Sequence, residues 1–150
     1  MIDPALLDLY SSRLKELGAQ VKEDHPLADA DASVKKRSPL CGSQITFDVL
    51  LDQDQRLSRI GFTVRACSLA EAAAAIVIGC APGSTVDELK AVRDSVKAML
   101  REARDELPGG KWGDLEVLKP AQMVPARHGS ALLPFDTIVK AMEAALAKQQ

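Results

Sequence analysis

The clearest pattern in the chain is an alternation of apolar and polar positions on both sides of the polar stretch 52–55. Residues 45–51 and residues 60–64 both place an apolar side chain at every second position, the period of a strand with one buried face. The pattern predicts a β-hairpin with these pairs: Ile45 with Val64, Phe47 with Phe62, and Val49 with Ile60. The same register sets Cys67 opposite Gly42 and leaves Cys41 one position along, so we expect the two sulfurs to be neighbours.

Helical spacing of apolar residues surrounds the predicted hairpin. Asp3 and Pro4 can cap and start a first helix that ends around Gly18. After the hairpin, Ser68 begins a sequence of capping-box form, S-x-x-E, and the alanine-rich stretch that follows favours a helix as far as Gly79. Cys67 is therefore expected immediately before a helix N-terminus.

Two further helices are predicted in the second half of the chain. A capping box at Thr85 opens a long amphipathic helix that is expected to end near Leu107. A short element at 115–118 follows, bounded by prolines. Ser130 is a reasonable cap for the last helix, with Pro134 in its first turn, where backbone donors are largely unpaired.

The order of elements predicts an α+β fold in a single domain over residues 1–150. A small antiparallel sheet, made of the hairpin and an edge strand at 33–37, is expected to pack against about four helices. A chain of 150 residues with 47% apolar content can bury one core, and nothing in it suggests a second.

Composition excludes several functions. The formal net charge is −2 and the chain has one Trp and one Tyr, which disfavours a nucleic-acid partner. No apolar run reaches the roughly 20 residues of a membrane span, and no secretory signal is evident, so we expect a cytoplasmic protein without a membrane partner. Three cysteines in such a chain favour reduced thiols that serve chemistry or metal binding.

The predicted elements bring several reactive side chains towards one end of the sheet. A helix N-terminus directs partial positive charge at Cys67 and so favours its thiolate, the form that attacks sulfur or binds metal. Ser130 is expected at another helix N-terminus, directly after Arg127 and His128. This arrangement predicts a metal or sulfur-handling pocket, although a free Cys can equally be a small apolar core residue.

Several motifs, spread over about Leu6 to Leu146, carry a resemblance to a known family. They are Leu9-Tyr10, Leu27-Ala28-Asp29-Ala30, Ser38-Pro39-Leu40-Cys41-Gly42-Ser43, residues 62–75 around Cys67, Gly83-Ser84-Thr85-Val86-Asp87-Glu88-Leu89, Gly113-Asp114-Leu115-Glu116 and residues 125–133. With these motifs the chain resembles the U-type iron-sulfur cluster scaffolds, namely IscU, SufU and the N-terminal domain of NifU. The insertion between the last two motifs favours the SufU branch. The resemblance implies a SufE/NifU-like fold.

The resemblance also implies a ligand set, and this chain departs from it. Family members hold a nascent iron-sulfur cluster, or zinc in its absence, with three cysteines and one aspartate. Cys41 and Cys67 match the first two cysteines, whereas Ser43 replaces the aspartate and Ser130 replaces the third cysteine. A serine hydroxyl is a poor ligand at neutral pH. His128 is a candidate for a substitute ligand, and Arg127 a candidate for support.

The resemblance implies a non-enzyme that works with a cysteine desulfurase and with iron-sulfur acceptor proteins. Five roles remain open. The chain could hold a weakly bound cluster, accept persulfide sulfur or regulate the desulfurase without metal, or be an interaction module with neither activity. It could also be a redox protein in which Cys41 and Cys67 form a reversible pair.

Other chemically interesting residues have simpler interpretations. Cys80 has no counterpart among the family's ligands and is interpreted as a structural or surface thiol. The basic run at 35–37 could attract an acidic partner, although such a run is usually a solvated edge. His25 precedes a proline in a presumed loop and is expected to be incidental.

Overall fold

The computed structural model describes residues 3–39 and 42–149. This part of the chain contains four α-helices and a three-stranded antiparallel sheet, which confirms the predicted α+β class. The elements are α1 (Pro4–Ala19), β1 (Ala32–Arg37), β2 (Gln44–Leu51), β3 (Leu57–Arg65), α2 (Ser68–Cys80), α3 (Val86–Glu102) and α4 (His128–Lys148). A long 3-10 segment (Gly110–Met123) and a 3-10 turn (Pro125–Arg127) connect α3 to α4. No helix within the described ranges has both the length and the apolar character needed to cross a membrane.

The hairpin has the register that the apolar alternation predicts. The confirmed pairs are Ile45 with Val64, Phe47 with Phe62, and Val49 with Ile60. The Asp52 carboxylate holds the turn by accepting the backbone N–H groups of residues 54 and 56 at 2.9 and 3.0 Å. β1 pairs with β2 as the predicted edge strand, so the strand order is β1-β2-β3.

The two faces of the sheet have different environments. The inner face carries Ile45, Phe47 and Val49, which are fully buried, and α4 packs on β1 and β2. The connection between α1 and β1 crosses the outer face instead. There the backbone N–H of Leu27 donates to a carboxylate oxygen of the buried Asp48 at 2.9 Å.

His25 fixes this connection to the edge of β3. Its backbone N–H and C=O both bind Phe62, each at 2.9 Å, and the two rings lie 5.3 Å apart. The expectation that His25 is incidental is therefore wrong, since its backbone extends the sheet. Gly61 makes the close approach possible, because a Cβ at this position would lie 2.6 Å from the backbone nitrogen of Leu27.

The centre of the core is α2. Every residue from Leu69 to Val77 is buried, and the helix packs against α1, α4 and the long 3-10 segment. Alanine side chains let these neighbours approach closely on several sides, which explains why this helix is alanine-rich rather than amphipathic.

The end of α3 and the segment after it differ from the sequence prediction. The capping box at Thr85 is confirmed, but the helix ends at Glu102 rather than near Leu107. Ala103 takes a left-handed conformation with φ 55°, and its N–H binds the carbonyl of Ala98, which closes the helix. The short element predicted at 115–118 is part of the longer 3-10 segment.

The long 3-10 segment is tied to helices on both sides. The Arg13 guanidinium of α1 binds both carboxylate oxygens of Asp114, at 3.0 and 2.9 Å. This pairing raises the pKa of Arg13 and lowers the pKa of Asp114. At the other end, the Gln122 side-chain amide donates to the carbonyl of Met99 in α3 at 2.6 Å.

The start of α4 also requires a correction. The helix begins at His128, with Arg127 as its N-cap residue, so Ser130 lies inside the first turn and is not the cap. Pro134 consequently lies in the helix interior instead of the first turn.

We predict opposite effects on stability for alanine at two glycines. Gly61→Ala should lower the free energy of unfolding by about 1–3 kcal/mol, because the new Cβ meets backbone atoms of Leu27 and His25 that cannot move independently of the sheet. Gly79→Ala, on the exposed surface of α2 with nothing within 4 Å, should raise it by about 0.5–1 kcal/mol. Urea denaturation of both variants measures the difference, and equal midpoints would contradict the prediction.

Candidate functional site

Cys67 is the N-cap residue of α2. Its side chain is exposed, its backbone is extended, and its carbonyl accepts the N–H of Glu71 at 2.8 Å. The predicted capping box at Ser68 is wrong, because Ser68 is already helical. The Glu71 carboxylate instead forms an ion pair with Lys22 at 2.7 Å. The expectation that Cys67 stands at a helix N-terminus is confirmed.

Ser43 contacts Cys67 directly. Its hydroxyl oxygen accepts the backbone N–H of Cys67 at 3.1 Å, and the Ser43 side chain is buried. The hydrogen bond continues the association of β2 and β3 beyond the last strand pair, Gln44 with Arg65. The residue at the aspartate position of the ligand set therefore positions the backbone of the exposed cysteine.

The turn between β1 and β2 is closed by its own backbone. The Ser38 N–H donates to the carbonyl of Ser43 at 2.8 Å, and the Gly42 N–H donates to the carbonyl of Ser38 at 3.0 Å. Gly42 has φ 70°, a left-handed conformation that suits glycine. Cys41, the other predicted site cysteine, lies outside the described residues, so its closeness to Cys67 stays a prediction.

The three remaining site residues lie where α4 begins. Arg127 is exposed, whereas His128 and Ser130 are buried. Nε2 of His128 lies 3.2 Å from the carbonyl oxygen of Gln122. If Nε2 carries the proton and donates it to this carbonyl, Nδ1 is the nitrogen with a lone pair for other partners. The prediction that these three residues lie near Cys67 stays a prediction.

Gln122 contacts the predicted site residue His128, a contact that the sequence did not reveal. Its side chain binds α3 and its backbone carbonyl accepts from His128, so one residue joins the long 3-10 segment to both helices. A glutamine in an irregular segment shows no periodicity, and only the folded geometry indicates this role.

A complete metal site is not formed by the described residues alone. They contain no group of three or more His, Cys, Asp or Glu side chains arranged to hold a metal ion. Among the described residues, Cys67 and His128 are the metal donors that the sequence predicted, and Ser43 and Ser130 are hydroxyls at two positions where the resemblance implies ligands.

Cys80 has a different environment from Cys67. Its thiol is half-buried and donates to the carbonyl of Lys111 at 3.0 Å. Burial, with a smaller contribution from Asp114, raises the pKa of Cys80. The thiol therefore stays protonated at neutral pH, consistent with its interpretation as a structural residue.

Comparisons with known proteins identify relatives of this architecture. Residues 9–119 match the family model of the NifU-like N-terminal domain. The crystal structure of a nitrogen-fixing NifU-like protein (N-terminal) from Brucella abortus superposes with a TM-score of 0.85 at 31% sequence identity, over 93% of this chain and 96% of that one. A comparison with curated proteins gave no match.

A second solved structure shares the fold at lower identity. It is a protein from Fervidobacterium islandicum AW-1 assigned as an iron-sulfur cluster assembly scaffold for the SUF system, with a TM-score of 0.77 and 19% identity. The similarity covers 93% of this chain and 99% of that one. A protein without an assigned function, at 22% identity and a TM-score of 0.76, also has this fold.

We predict that Cys67 and Cys80 differ in reactivity. At neutral pH, iodoacetamide should modify the exposed Cys67 at least about tenfold faster than Cys80, whose raised pKa leaves little thiolate. The rate at Cys80 should increase only as the pH rises above the ordinary thiol range. Peptide mass spectrometry of timed samples measures both rates, and unfolding in urea should equalise them. Faster modification of Cys80 in the folded protein would contradict the prediction.

Proposed function

The chain belongs to the NifU-like N-terminal domain family, and from this premise we propose that it serves iron-sulfur cluster assembly by accepting sulfur at Cys67. The observation that carries the proposal is an exposed thiol at the N-cap of a buried helix, with its backbone held by Ser43. Such a thiol is accessible to a protein donor and does not depend on a complete metal site.

The sulfur donor in this proposal is a cysteine persulfide on a cysteine desulfurase. The Cys67 thiolate, having given its proton to solvent, attacks the outer sulfur of the donor persulfide. A new S–S bond forms at Cys67 while the donor's S–S bond breaks, and the donor cysteine leaves as a thiolate. Electrons balance without an external oxidant. The chain is an acceptor in this step rather than an enzyme, and it would pass the sulfur to iron-sulfur acceptor proteins.

The arrangement of Cys67 suits this reaction. The free N–H groups in the first turn of α2 direct partial positive charge towards the negative charge that moves between sulfur atoms. Because Ser43 accepts the Cys67 N–H, the residue is held at the start of the helix while its side chain stays exposed.

A second candidate function, holding a nascent cluster or zinc as cargo, is favoured by the His128 environment. Histidines that bind metal usually donate their other ring N–H to a carbonyl or carboxylate, and the Gln122 carbonyl stands at that distance from Nε2. Nδ1 of His128 would then join the two cysteine sulfurs. Ser43 and Ser130 supply hydroxyls where stronger ligands are usual, so the site is weaker than that of the resembled scaffolds.

We expect Cys67 to carry persulfide after incubation with a cysteine desulfurase and free cysteine. Peptide mass spectrometry should detect the mass of one additional sulfur atom on the Cys67 peptide, and Cys67→Ser should remove the signal. Cys80→Ala is the matched control and should accept as much sulfur as the unchanged chain, since the Cys80 thiol is half-buried with a raised pKa. Absence of sulfur on Cys67 while the desulfurase turns over would refute the proposal.

Metal content separates the two candidate functions. Purified without oxygen, the unchanged chain should contain well under one zinc or iron per chain, because hydroxyl ligands bind these metals weakly. The double variant Ser43→Asp, Ser130→Cys restores the stronger ligands and should bind about one metal ion per chain by elemental analysis. Stoichiometric metal in the unchanged chain that is lost in His128→Ala would instead establish cluster or zinc holding.

A further inference from the structure

The outer face of the sheet carries basic side chains in line with one another at the end nearest Cys67. Two cross-strand rows define this surface: Arg37, Gln44 and Arg65, and next to it Lys35, Thr46 and Thr63. We name these six residues the basic rows. The three cationic residues are exposed, and their neighbours in the rows are half-buried.

Strand parity separates the basic rows from the core. Side chains alternate between faces along a strand, and the adjacent positions Ile45 and Val64 are buried on the inner face. Arg37 and Arg65 belong to the two outer strands, so their attachment points are about 10 Å apart across the sheet. The cations therefore form a surface rather than a line along one edge.

The middle of the outer face is covered by the protein itself. The connection through Leu27 lies over the next row, which contains Asp48 and Gly61. None of the six residues of the basic rows is buried, and these rows lie at the end of the sheet that leads to the site. Gln44 directly follows Ser43, and Arg65 is two residues before Cys67.

The charges of the basic rows are only partly neutralised. Arg65 binds both carboxylate oxygens of Asp24, at 2.7 and 2.8 Å. Lys35 and Arg37 form no ion pair within the part of the chain that the structure describes. The whole chain has a net charge of −2, so this surface is positive against an acidic background.

We infer that the basic rows are the docking surface for an acidic patch on the protein that delivers sulfur to Cys67, an inference that rests on the proposed function. Opposite charges accelerate encounter and fix the orientation of two proteins. A partner seated on the two rows would lie beside the exposed thiol, where sulfur transfer requires close approach of the two chains.

Protection of an edge strand explains only part of this arrangement. Lysine on an edge discourages strand pairing between copies of a chain, and Lys35 on β1 has that effect. Edge protection does not require Arg37 and Arg65 to share a row across three strands. It also does not require the connection between α1 and β1 to leave these rows unburied. Both features are expected of a surface that binds a partner.

The test compares two sulfur donors on a charge-reversed variant, Lys35→Glu with Arg37→Glu. With a persulfide-loaded cysteine desulfurase as the donor, the rate of sulfur transfer to Cys67 at low salt should be at least about tenfold lower than in the unchanged chain. The transfer rate of the variant should also depend less on added salt than that of the unchanged chain. With the low-molecular-weight persulfide of cysteine, transfer should equal that of the unchanged chain.

A matched variant controls for net charge. Lys97→Glu with Arg101→Glu makes the same charge change at two exposed positions of α3 and should leave both transfer rates near those of the unchanged chain. Thermal unfolding of both double variants checks that they are folded.

The outcomes distinguish the docking inference from the proposed function. If the unchanged chain accepts sulfur from neither donor, the proposed function fails. If Lys35→Glu with Arg37→Glu accepts sulfur from the desulfurase at the normal rate and salt dependence, the docking inference is overturned while the function stands. If a single-stranded oligonucleotide competes as well as the desulfurase for the basic rows, the surface is a general polyanion site and the inference is also overturned.

Discussion

The antiparallel register between β2 and β3 is the constraint on which the rest of the structure depends. Because side chains alternate between faces, one choice of register places Ile45, Phe47 and Val49 in the core and the polar residues between them on the outer face of the sheet. The same register brings Ser43 to the backbone of Cys67, where a hydrogen bond connects the hairpin to α2. Core packing and site geometry thus follow from one pairing, and a slip of one residue would disrupt both.

Features governed by local periodicity could be predicted from the sequence. The hairpin register, the edge strand, the capping box at Thr85 and the placement of Cys67 before a helix all depend on neighbouring residues or strict alternation. The resemblance to U-type scaffolds predicted the family of the chain, and the domain match and the Brucella abortus structure support this prediction.

Other features depend on tertiary contacts that leave no local pattern. Glu71 has the spacing of a capping box, but an ion pair with Lys22 from another part of the chain uses its carboxylate. The long 3-10 segment is fixed by Arg13 and Met99 through contacts that no periodicity indicates. His25 looked incidental because its contribution to the sheet is made by its backbone. In each case, a distant residue decided the outcome.

The burial of α2 has a mechanical consequence for Cys67, at the N-terminus of this helix. A helix enclosed by α1, α4 and the long 3-10 segment cannot tilt or slide without displacing most of the core. The backbone of Cys67, the N-cap residue of this helix, is therefore held in place although its side chain is open to solvent. Movement during an exchange at this cysteine is left to its own side chain and to the incoming molecule, while the backbone of the protein stays fixed.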